Sequence, residues 1–357
     1  MKILLLINWK IKYCANIPKN LQPSDYSCPE EAFWFFKYFS EVPEVDVVDI
    51  STLKWIEKIE NKMRFHFYQT LKVLPKLRQY DLIFIHGSNS AMLLGAIKRI
   101  CHIKMPPILD VDISSFHQAS KSGIIHRLSQ FSSKAFDYMV YHTSSQIDYY
   151  KKEFPWIVNR CEFIPLGVDY DYWKTKKYPV ISEKKSYIVC VGYRKRDWNT
   201  LLKAYNESNI DEELYLIGKP DIKCENPKVK ILPFIPIDEL MIYITNARFS
   251  VIPLDDFNYS FAQLTLLQQM ALGVPILAAD VHSIRDYIRC SDGIVSYTPY
   301  NVEDLKTKLQ AFSKLGEVDL QKMGLSSIEC VMTSLSEQQM ALKLEKICRM
   351  LCKGGEV

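Results

Sequence analysis

The chain has 357 residues, which is long for a single hydrophobic core and comfortable for two domains. Hydrophobic residues make up 48% of it and charged residues 24%, the proportions of an ordinary soluble globular protein. The formal net charge of +4 is too small to indicate nucleic-acid binding, so we expect no nucleic-acid partner.

The N-terminal run Met1–Ile7 is apolar but too short for a signal peptide, and it predicts a first β-strand. No segment approaches the ~20 apolar residues of a membrane span. We therefore expect a cytoplasmic protein that is soluble, or peripheral on the inner face of the membrane. The ten cysteines are scattered singly without zinc-ligand spacing, which favours reduced thiols over a disulfide framework.

Strand-like and helix-like segments alternate along the whole chain. The predicted strands are 2–7, 45–49, 81–86, 107–111, 138–142 and 161–165, then 187–192, 213–217, 229–232, 249–253, 275–278 and 293–296. The predicted helices are 30–41, 66–79, 89–101, 119–135 and 144–154, then 197–207, 237–246, 260–272, 282–289, 302–315, 318–326 and 335–353. This alternation is typical of parallel sheets covered by helices on both faces.

A polar, lysine-rich segment at 174–186 resembles a linker between two such halves. The sequence therefore predicts an α/β protein of two Rossmann-like, doubly wound domains with a cleft between them. The expected boundaries are 1–166, 167–335 and a last helix at 336–357 that returns to the first domain. Neither half has a Gly-x-Gly-x-x-Gly motif or a Walker-type loop, which argues against nicotinamide enzymes and P-loop ATPases.

The stretch from Tyr259 to Asp280 reads as a turn, a helix and a buried strand. Ser260 is the predicted N-cap, Gly273 is the predicted C-cap, and one apolar stripe is expected from Leu264, Leu267, Met270 and Ala271. A helix that starts at the edge of a parallel sheet points unpaired N–H groups and a positive dipole end outward. Such a start is suited to binding a diphosphate.

The segment Gln268–Pro275, Gln-Gln-Met-Ala-Leu-Gly-Val-Pro, resembles the donor-sugar motif of retaining GT-B glycosyltransferases, in particular family 4. In that family two glutamates separated by seven residues belong to the motif; here Ser260 and Gln268 stand in their places. Further segments resemble the family in sequence or placement: 163–169, 191–204, 213–218 and 247–253. The resemblance covers residues 160–290 well, and the first half only in architecture.

The resemblance implies a GT-B fold with an N-terminal acceptor domain and a C-terminal nucleotide-sugar donor domain. It implies that Arg194 and Arg196 bind the diphosphate, although a solvated basic turn is the alternative; Lys195 is expected to face solvent. Backbone N–H groups of Gln263, Leu264 and Thr265 are expected to hold phosphate oxygens, unless these residues only continue the helix.

Gln268 is expected to hydrogen-bond the ribose through its amide. Ser260, at the position of the first glutamate, is expected to lie near the sugar and is a candidate catalytic residue.

Asp110-Val111-Asp112 has the Asp-x-Asp spacing of the metal site in the other main glycosyltransferase fold, GT-A, but it lies in the first half. We expect no metal site. Asp112 is a second candidate catalytic residue, either contacting the sugar or acceptor in the cleft or capping a helix. His117, a turn further on, and His86, at the end of a predicted strand, are weaker cleft candidates.

Residues 54–78 combine seven basic residues with interspersed apolar ones. This pattern fits either contact with an anionic membrane surface or a plain surface helix packed on the sheet.

The expected function is transfer of a sugar from a nucleotide diphosphate sugar to an oligosaccharide, polysaccharide precursor or lipid-linked acceptor. The resemblance implies retention of configuration, no metal and no cofactor beyond the donor itself. Two alternatives stay open: an epimerase-like enzyme on the same fold, and a non-catalytic homologue that acts as a binding or scaffold subunit.

Overall fold

A computed structural model describes residues 1–18, 21–29, 31–63, 65–113, 116, 123–174, 186–218 and 221–354. The chain divides into two compact units. The first comprises Met1–Pro165 and Met340–Val357, and the second comprises Leu166–Gln339. The predicted linker at 174–186 lies almost entirely outside the described residues.

The first unit is built on a six-stranded parallel sheet with the order β4-β1-β5-β6-β7-β8. Its strands are β1 (Lys2–Ile7), β4 (Glu44–Val48), β5 (Leu82–His86), β6 (Ile108–Asp112), β7 (Tyr138–Tyr141) and β8 (Cys161–Phe163). A small parallel pair, β2 (Lys12–Tyr13) and β3 (Tyr26–Ser27), lies apart from this sheet. The central strands β5 and β6 are buried throughout. Burial on both faces explains the apolar run of β5, whereas β6 also contains the buried Asp110 and Asp112.

Helices cover this sheet at α1 (Lys54–Met63), α2 (Phe67–Val73), α3 (Ser90–Ile100), α4 (Ile124–Ser133) and α5 (Gln146–Glu153). Short 3₁₀ segments occur at Pro23–Asp25, Trp34–Tyr38, Leu74–Gln79 and Pro155–Arg160.

The second unit also contains a six-stranded parallel sheet, with the order β11-β10-β9-β12-β13-β14. Its strands are β9 (Tyr187–Val191), β10 (Glu213–Ile217), β11 (Val229–Leu232), β12 (Phe249–Ile252), β13 (Ile276–Ala279) and β14 (Ile294–Tyr297). The order reverses between β9 and β12, as in a doubly wound Rossmann-like sheet. The prediction of two Rossmann-like units with parallel sheets is therefore confirmed.

The helices of the second unit begin with α6 (Tyr170–Lys174), α7 (Trp198–Ser208), α8 (Ile237–Thr245), α9 (Gln263–Ala271) and α10 (Arg285–Ile288). They continue with α11 (Val302–Ser313) and α12 (Glu317–Ser334), and the last helix is α13 (Glu337–Cys352). Most of α13 belongs to the first unit, where Ser40 N–H donates to Glu345 Oε2 at 2.9 Å. Within the described residues, no helix is long and apolar enough to cross a membrane.

Several predicted elements are corrected by the structure. The helix expected at 30–41 is a 3₁₀ segment at Trp34–Tyr38, because a cluster of aromatic rings packs there without helical periodicity. Helix α1 was absent from the predicted elements, and the helix expected at 318–326 extends over Glu317–Ser334. The helix expected at 119–135 begins at Ile124 in its described part.

The cysteines also differ from expectation, because Cys290 and Cys330 form a disulfide with their Cα atoms 6.0 Å apart. The sequence separation of 40 residues explains why local patterns did not reveal it. The bond links the segment after α10 to helix α12. The other eight cysteines are free.

Helix α9 is stopped by a glycine and packed closely against α12. Gly273 follows the helix with φ +69°, a left-handed conformation that favours glycine. Its carbonyl oxygen would lie 2.1 Å from a Cβ at Gly324 on α12, so only glycine fits at that contact. This close contact between Gly273 and Gly324 fixes the position of the C-terminal end of α9 against α12.

We expect Gly324→Ala to reduce the free energy of unfolding by about 1–3 kcal/mol, because its methyl group must displace backbone atoms of Gly273. Chemical denaturation measures this loss. Leu325→Ala, an exposed neighbour on the same helix, serves as the control and should change stability by no more than about 0.5 kcal/mol. Equal stability of Gly324→Ala and the parent would contradict the close contact.

Candidate functional site

The strand order of the second sheet places the expected ligand position at the carboxyl ends of β9 and β12. Two segments leave the sheet there, 192–197 after β9 and 253–259 after β12. An isolated antiparallel bridge between Arg196 and Leu254 joins them. The two segments therefore form one connected edge of this unit.

The Arg196 side chain is buried beneath the first of these segments. Its guanidinium donates to Val191 O from Nη2 at 2.9 Å and to Arg194 O from Nη1 at 3.1 Å. Gly192 has φ +104°, and a Cβ there would lie 2.4 Å from Arg196 Nη2. Arg196 therefore stabilises the turn through hydrogen bonds to its backbone. The contact of Arg196 with a diphosphate stays a prediction.

Lys195 was expected to face solvent, and the structure corrects this. Its backbone is left-handed, with φ +52°, which turns the side chain toward the second segment. The ammonium lies 3.4 Å from the ring centroid of Phe257 and 5.0 Å from that of Tyr259. Arg194 is exposed and lies over the Tyr193 ring at 5.2 Å. Lys195 is therefore a candidate phosphate ligand that the sequence reasoning missed.

Helix α9 starts at this same edge, but three residues later than predicted. Its N-cap is Ala262, which has φ +61°, so Ser260 is not the helix cap. The first backbone bond of the helix runs from Leu266 N–H to Ala262 O. The N–H groups of Leu264 and Thr265 precede it and have no acceptor within the helix, as the diphosphate prediction requires.

Ser260 instead orders the turn before α9. Its hydroxyl donates to Gln263 Oε1, and Gln263 Nε2 donates to Ser283 O at 2.9 Å. All three side chains are buried. The Gln263 amide therefore ties the start of α9 to the chain that follows β13.

The apolar face of α9 also differs from the prediction. Leu264 is 45% exposed, whereas Leu266 is fully buried beside Leu267. Leu267, Met270 and Ala271 are buried as predicted, so the prediction is wrong only for Leu264 and in omitting Leu266. Gln268 is nearly buried on the same helix, and its contact with a ribose stays a prediction.

An acid–histidine pair lies at the same edge and had no local sequence signal. His282 Nδ1 is 2.8 Å from Asp256 Oδ1, and His282 N–H also donates to that oxygen at 2.9 Å. The two residues are 26 positions apart and follow different strands. Because the Asp256 carboxylate accepts from Nδ1, Nε2 of the neutral ring can accept a hydrogen bond from a hydroxyl group.

The first unit has its own candidate edge at the carboxyl ends of β1 and β5. The His86 ring lies 5.5 Å from the Trp9 ring and 4.9 Å from the Trp34 ring, in edge-on arrangements. Burial, with a smaller effect of His142, lowers the pKa of His86 to about 3. This edge therefore presents a neutral imidazole among indole rings.

Gln69 fixes the backbone around this edge. Its Nε2 donates to Ile7 O at 2.9 Å and to Val48 O at 2.6 Å, and its Oε1 accepts from Ser88 Oγ at 2.6 Å. One buried amide thus ties together the ends of β1 and β4 and the segment before α3.

Asp112 is fully buried, and its Oδ2 accepts from Tyr150 OH at 2.6 Å. Phe116 N–H also donates to its Oδ1 at 3.4 Å, and the alternative role of Asp112 as a helix cap stays a prediction. Burial and then the neighbouring Asp112 raise the pKa of Asp110 well above its usual value. The predicted contact of Asp112 with sugar or acceptor stays a prediction, and His117 lies outside the described residues.

Metal ligands do not cluster in the part of the chain that the structure describes: no group of three His, Cys, Asp or Glu side chains is placed to hold an ion. The expectation of metal-independent chemistry stays a prediction.

Comparison with known proteins agrees with this architecture. Residues 184–314 match the family model described as Glycosyl transferases group 1. The sequence matches no curated protein.

Solved structures with the same fold include sucrose-phosphate synthase from Thermosynechococcus elongatus, at 15% identity and a TM-score of 0.70, covering 99% of this chain and 100% of that one. Anabaena HepE in complex with UDP has 13% identity and a TM-score of 0.67, covering 98% and 100%. An α,α-trehalose-phosphate synthase from Burkholderia xenovorans has 12% identity and a TM-score of 0.65, covering 98% and 100%. These likenesses establish the GT-B fold.

We expect Arg196→Ala and Lys195→Ala to have different effects. Arg196→Ala leaves buried carbonyls without a donor and should cost about 1–3 kcal/mol of stability. Lys195→Ala should leave the melting temperature nearly unchanged but weaken nucleoside diphosphate binding by about tenfold or more, since the prediction gives its ammonium a charge-assisted contact with the diphosphate.

Thermal denaturation and calorimetry with UDP separate the two effects. Lys203→Ala, an exposed lysine on α7, is the matched control. Unchanged UDP affinity in Lys195→Ala would refute its assignment as a phosphate ligand.

The first unit should lose stability as the pH falls below about 6.5. Burial lowers the pKa of His86 to about 3 and that of His142 to about 4, so the folded state does not take up protons that the unfolded chain binds. Each histidine should therefore lower the free energy of unfolding by about 1.4 kcal/mol for each pH unit between pH 6.5 and its pKa in the folded state.

Urea denaturation between pH 7 and 4.5 measures this slope. His86→Gln should reduce the slope of the unfolding free energy against pH by the amount that corresponds to about one bound proton. His102→Gln, at an exposed position, should leave the slope unchanged. A slope that is the same in His86→Gln and the parent would show that His86 is protonated in the folded state.

Proposed function

We propose that this protein transfers a sugar from a nucleotide diphosphate sugar to an oligosaccharide, polysaccharide precursor or lipid-linked acceptor. The proposal depends chiefly on one observation, the start of helix α9 in the segment that follows β12, where the Lys195 ammonium lies 5.0 Å from the Tyr259 ring. The family match over residues 184–314 covers the same unit. Among the structural neighbours, HepE binds UDP and UDP-glucose, which supports a nucleotide-sugar donor.

In this proposal the donor diphosphate lies on the N–H groups of Leu264 and Thr265, and Lys195 provides a positive charge. The helix start and the ammonium stabilise the negative charge that develops on the leaving nucleotide, which requires no metal. The exposed Arg194 adds a second cation near the same turn. Gln268, further along the helix, hydrogen-bonds the ribose.

We propose transfer with retention of configuration, on the resemblance of the α9 region to retaining enzymes. Ser260 takes the place of a carboxylate, and its hydroxyl is engaged by Gln263. It therefore positions the sugar-facing turn rather than acting as a nucleophile. In this proposal His282, oriented by Asp256, accepts a hydrogen bond from a sugar hydroxyl through Nε2.

A non-catalytic homologue that binds nucleotide sugars is the second candidate. The specific observation in its favour is the replacement of both motif carboxylates by Ser260 and Gln268. Such a protein would bind the nucleotide without transferring sugar to any acceptor. An epimerase-like enzyme, the remaining alternative, would consume the donor without an acceptor and release free nucleotide.

The deciding experiment mixes the protein with a panel of nucleotide sugars and identifies the retained donor by mass spectrometry. Turnover of that donor is then measured with and without an acceptor panel, and with and without EDTA. Acceptor-dependent release of nucleoside diphosphate that survives EDTA is expected. Retention without turnover would favour the binding homologue, and loss of activity in EDTA would refute metal independence.

The role of Gln268 has its own prediction. Gln268→Ala should raise the donor dissociation constant by about tenfold, because a ribose hydroxyl loses its partner, whereas Gln268→Glu should bind at least as well as the parent. Calorimetry with the retained nucleotide is the measurement. Gln321→Ala, an exposed glutamine on α12, is the control. Normal affinity in Gln268→Ala would show that the ribose lies elsewhere.

A further inference from the structure

Helix α12 presents a line of apolar side chains on the side that faces away from its own unit. The residues on its inner side are buried: Leu320, Gly324, Ser327, Cys330 and Val331. On the opposite side, Val318, Leu325 and Met332 are 63%, 65% and 52% exposed. Seven residues complete almost two helical turns, so these three side chains form one stripe along the helix, the α12 stripe.

Two contacts on the inner side of the helix hold the α12 stripe outward. The disulfide between Cys290 and Cys330 connects α12 to the segment after α10. Nearer the middle of the helix, a Cβ at Gly324 would lie 2.1 Å from the carbonyl oxygen of Gly273, so the two backbones are in direct contact. Together these contacts fix the rotation of α12, and the stripe stays on the surface of the unit.

Two exposed residues of opposite charge lie beside the α12 stripe. Lys322 precedes Leu325 by three residues and Glu329 follows it by four, which places both charges on the same flank, within about 60° of the stripe. Neither charged side chain has an ion pair within the part of the chain that the structure describes. The flank therefore carries a positive charge before the middle of the stripe and a negative charge after it.

We propose that the α12 stripe is the contact surface of a dimer of this chain. A two-fold axis through Leu325, perpendicular to the helix, sets two copies of α12 antiparallel to each other. Val318 then packs against the partner's Met332, because both residues are seven positions from the axis. The two Leu325 side chains meet on the axis itself.

Charge complementarity selects this arrangement. In an antiparallel pair the same flanks of the two helices face each other, so Lys322 lies opposite the partner's Glu329 with an axial offset of about 1.5 Å. The two-fold symmetry forms this ion pair twice. A parallel pair would instead bring opposite flanks together and leave both charges without a partner. A lipid surface that attracts Lys322 would repel Glu329.

The interface is small, because each copy contributes the outer face of one helix. The dimer should therefore be reversible, with a dissociation constant of about 10–100 µM, and the chain should be monomeric well below that concentration. Sedimentation velocity over a concentration series measures this equilibrium on the full chain without any donor. Its outcome is independent of the glycosyl-transfer proposal.

Two triple variants test the apolar contact. Replacing Val318, Leu325 and Met332 by Gln should raise the dissociation constant at least about tenfold, because the buried apolar area is lost. The matched control, which should dimerise like the parent, replaces by Gln three exposed apolar residues of α1: Trp55, Ile59 and Met63.

Charge reversal tests the antiparallel pairing. Lys322→Glu alone, or Glu329→Lys alone, sets like charges against each other at both contacts of its own dimer, and each should weaken dimerisation about five- to tenfold. In an equimolar mixture of these two variants, a dimer with one chain of each kind joins opposite charges at both contacts. The mixture should therefore associate about as tightly as the parent. Lys203→Glu, at an exposed position on α7, is the control and should dimerise like the parent.

A parent that stays monomeric throughout the concentration series would overturn the proposal. Dimerisation that the α12 triple variant retains, with its fold verified by circular dichroism, would overturn it as well. If that variant does not fold, the two charge variants decide, because their substitutions lie at exposed positions. A mixture that associates no better than either charge variant alone would refute the antiparallel pairing.

Discussion

The buried guanidinium of Arg196 is the constraint on which the edge of the second unit depends. It reaches back under its own turn and donates to the carbonyls of Val191 and Arg194, where a side chain on Gly192 would leave it no room. A charged group at this depth persists because these two carbonyls accept its hydrogen bonds and the Phe261 ring lies 5.8 Å from it. These hydrogen bonds of the Arg196 guanidinium fix the conformation of the turn after β9.

The turn after β9 and the segment before α9 each contain one backbone conformation that non-glycine residues seldom adopt. Lys195 has φ +52° and Ala262 has φ +61°, and both lie at the same edge of the sheet. Left-handed residues other than glycine cost free energy, and they persist where the surroundings determine them. The left-handed backbone at Lys195 directs its ammonium toward Tyr259. The left-handed backbone at Ala262 precedes α9, whose first N–H groups have no acceptor within the helix. The strain therefore coincides with the proposed donor position.

The fold was largely predictable because parallel strands buried on both faces leave continuous apolar runs in the sequence. All twelve strands of the two large sheets were anticipated to within about two residues of their ends. The site was less predictable, since its geometry depends on contacts between distant segments. The start of α9 moved from Ser260 to Gln263 because Ser260 bonds to the Gln263 side chain, an arrangement that a local capping rule cannot anticipate. The pair of Asp256 and His282, joined across two strands, had no local signal at all.

The two sheet edges differ in chemistry, and this difference bears on what each can hold. The edge of the second unit offers a helix start and an ammonium, which favour an anion such as a diphosphate. The edge of the first unit offers indole rings and a buried His86 that stays neutral because burial lowers its pKa to about 3. Neutral hydrogen-bonding groups beside aromatic faces suit a polyhydroxylated ligand better than an anion, since a sugar needs no countercharge. That contrast supports the proposed arrangement, in which the second unit holds the donor nucleotide and the first unit holds a sugar acceptor.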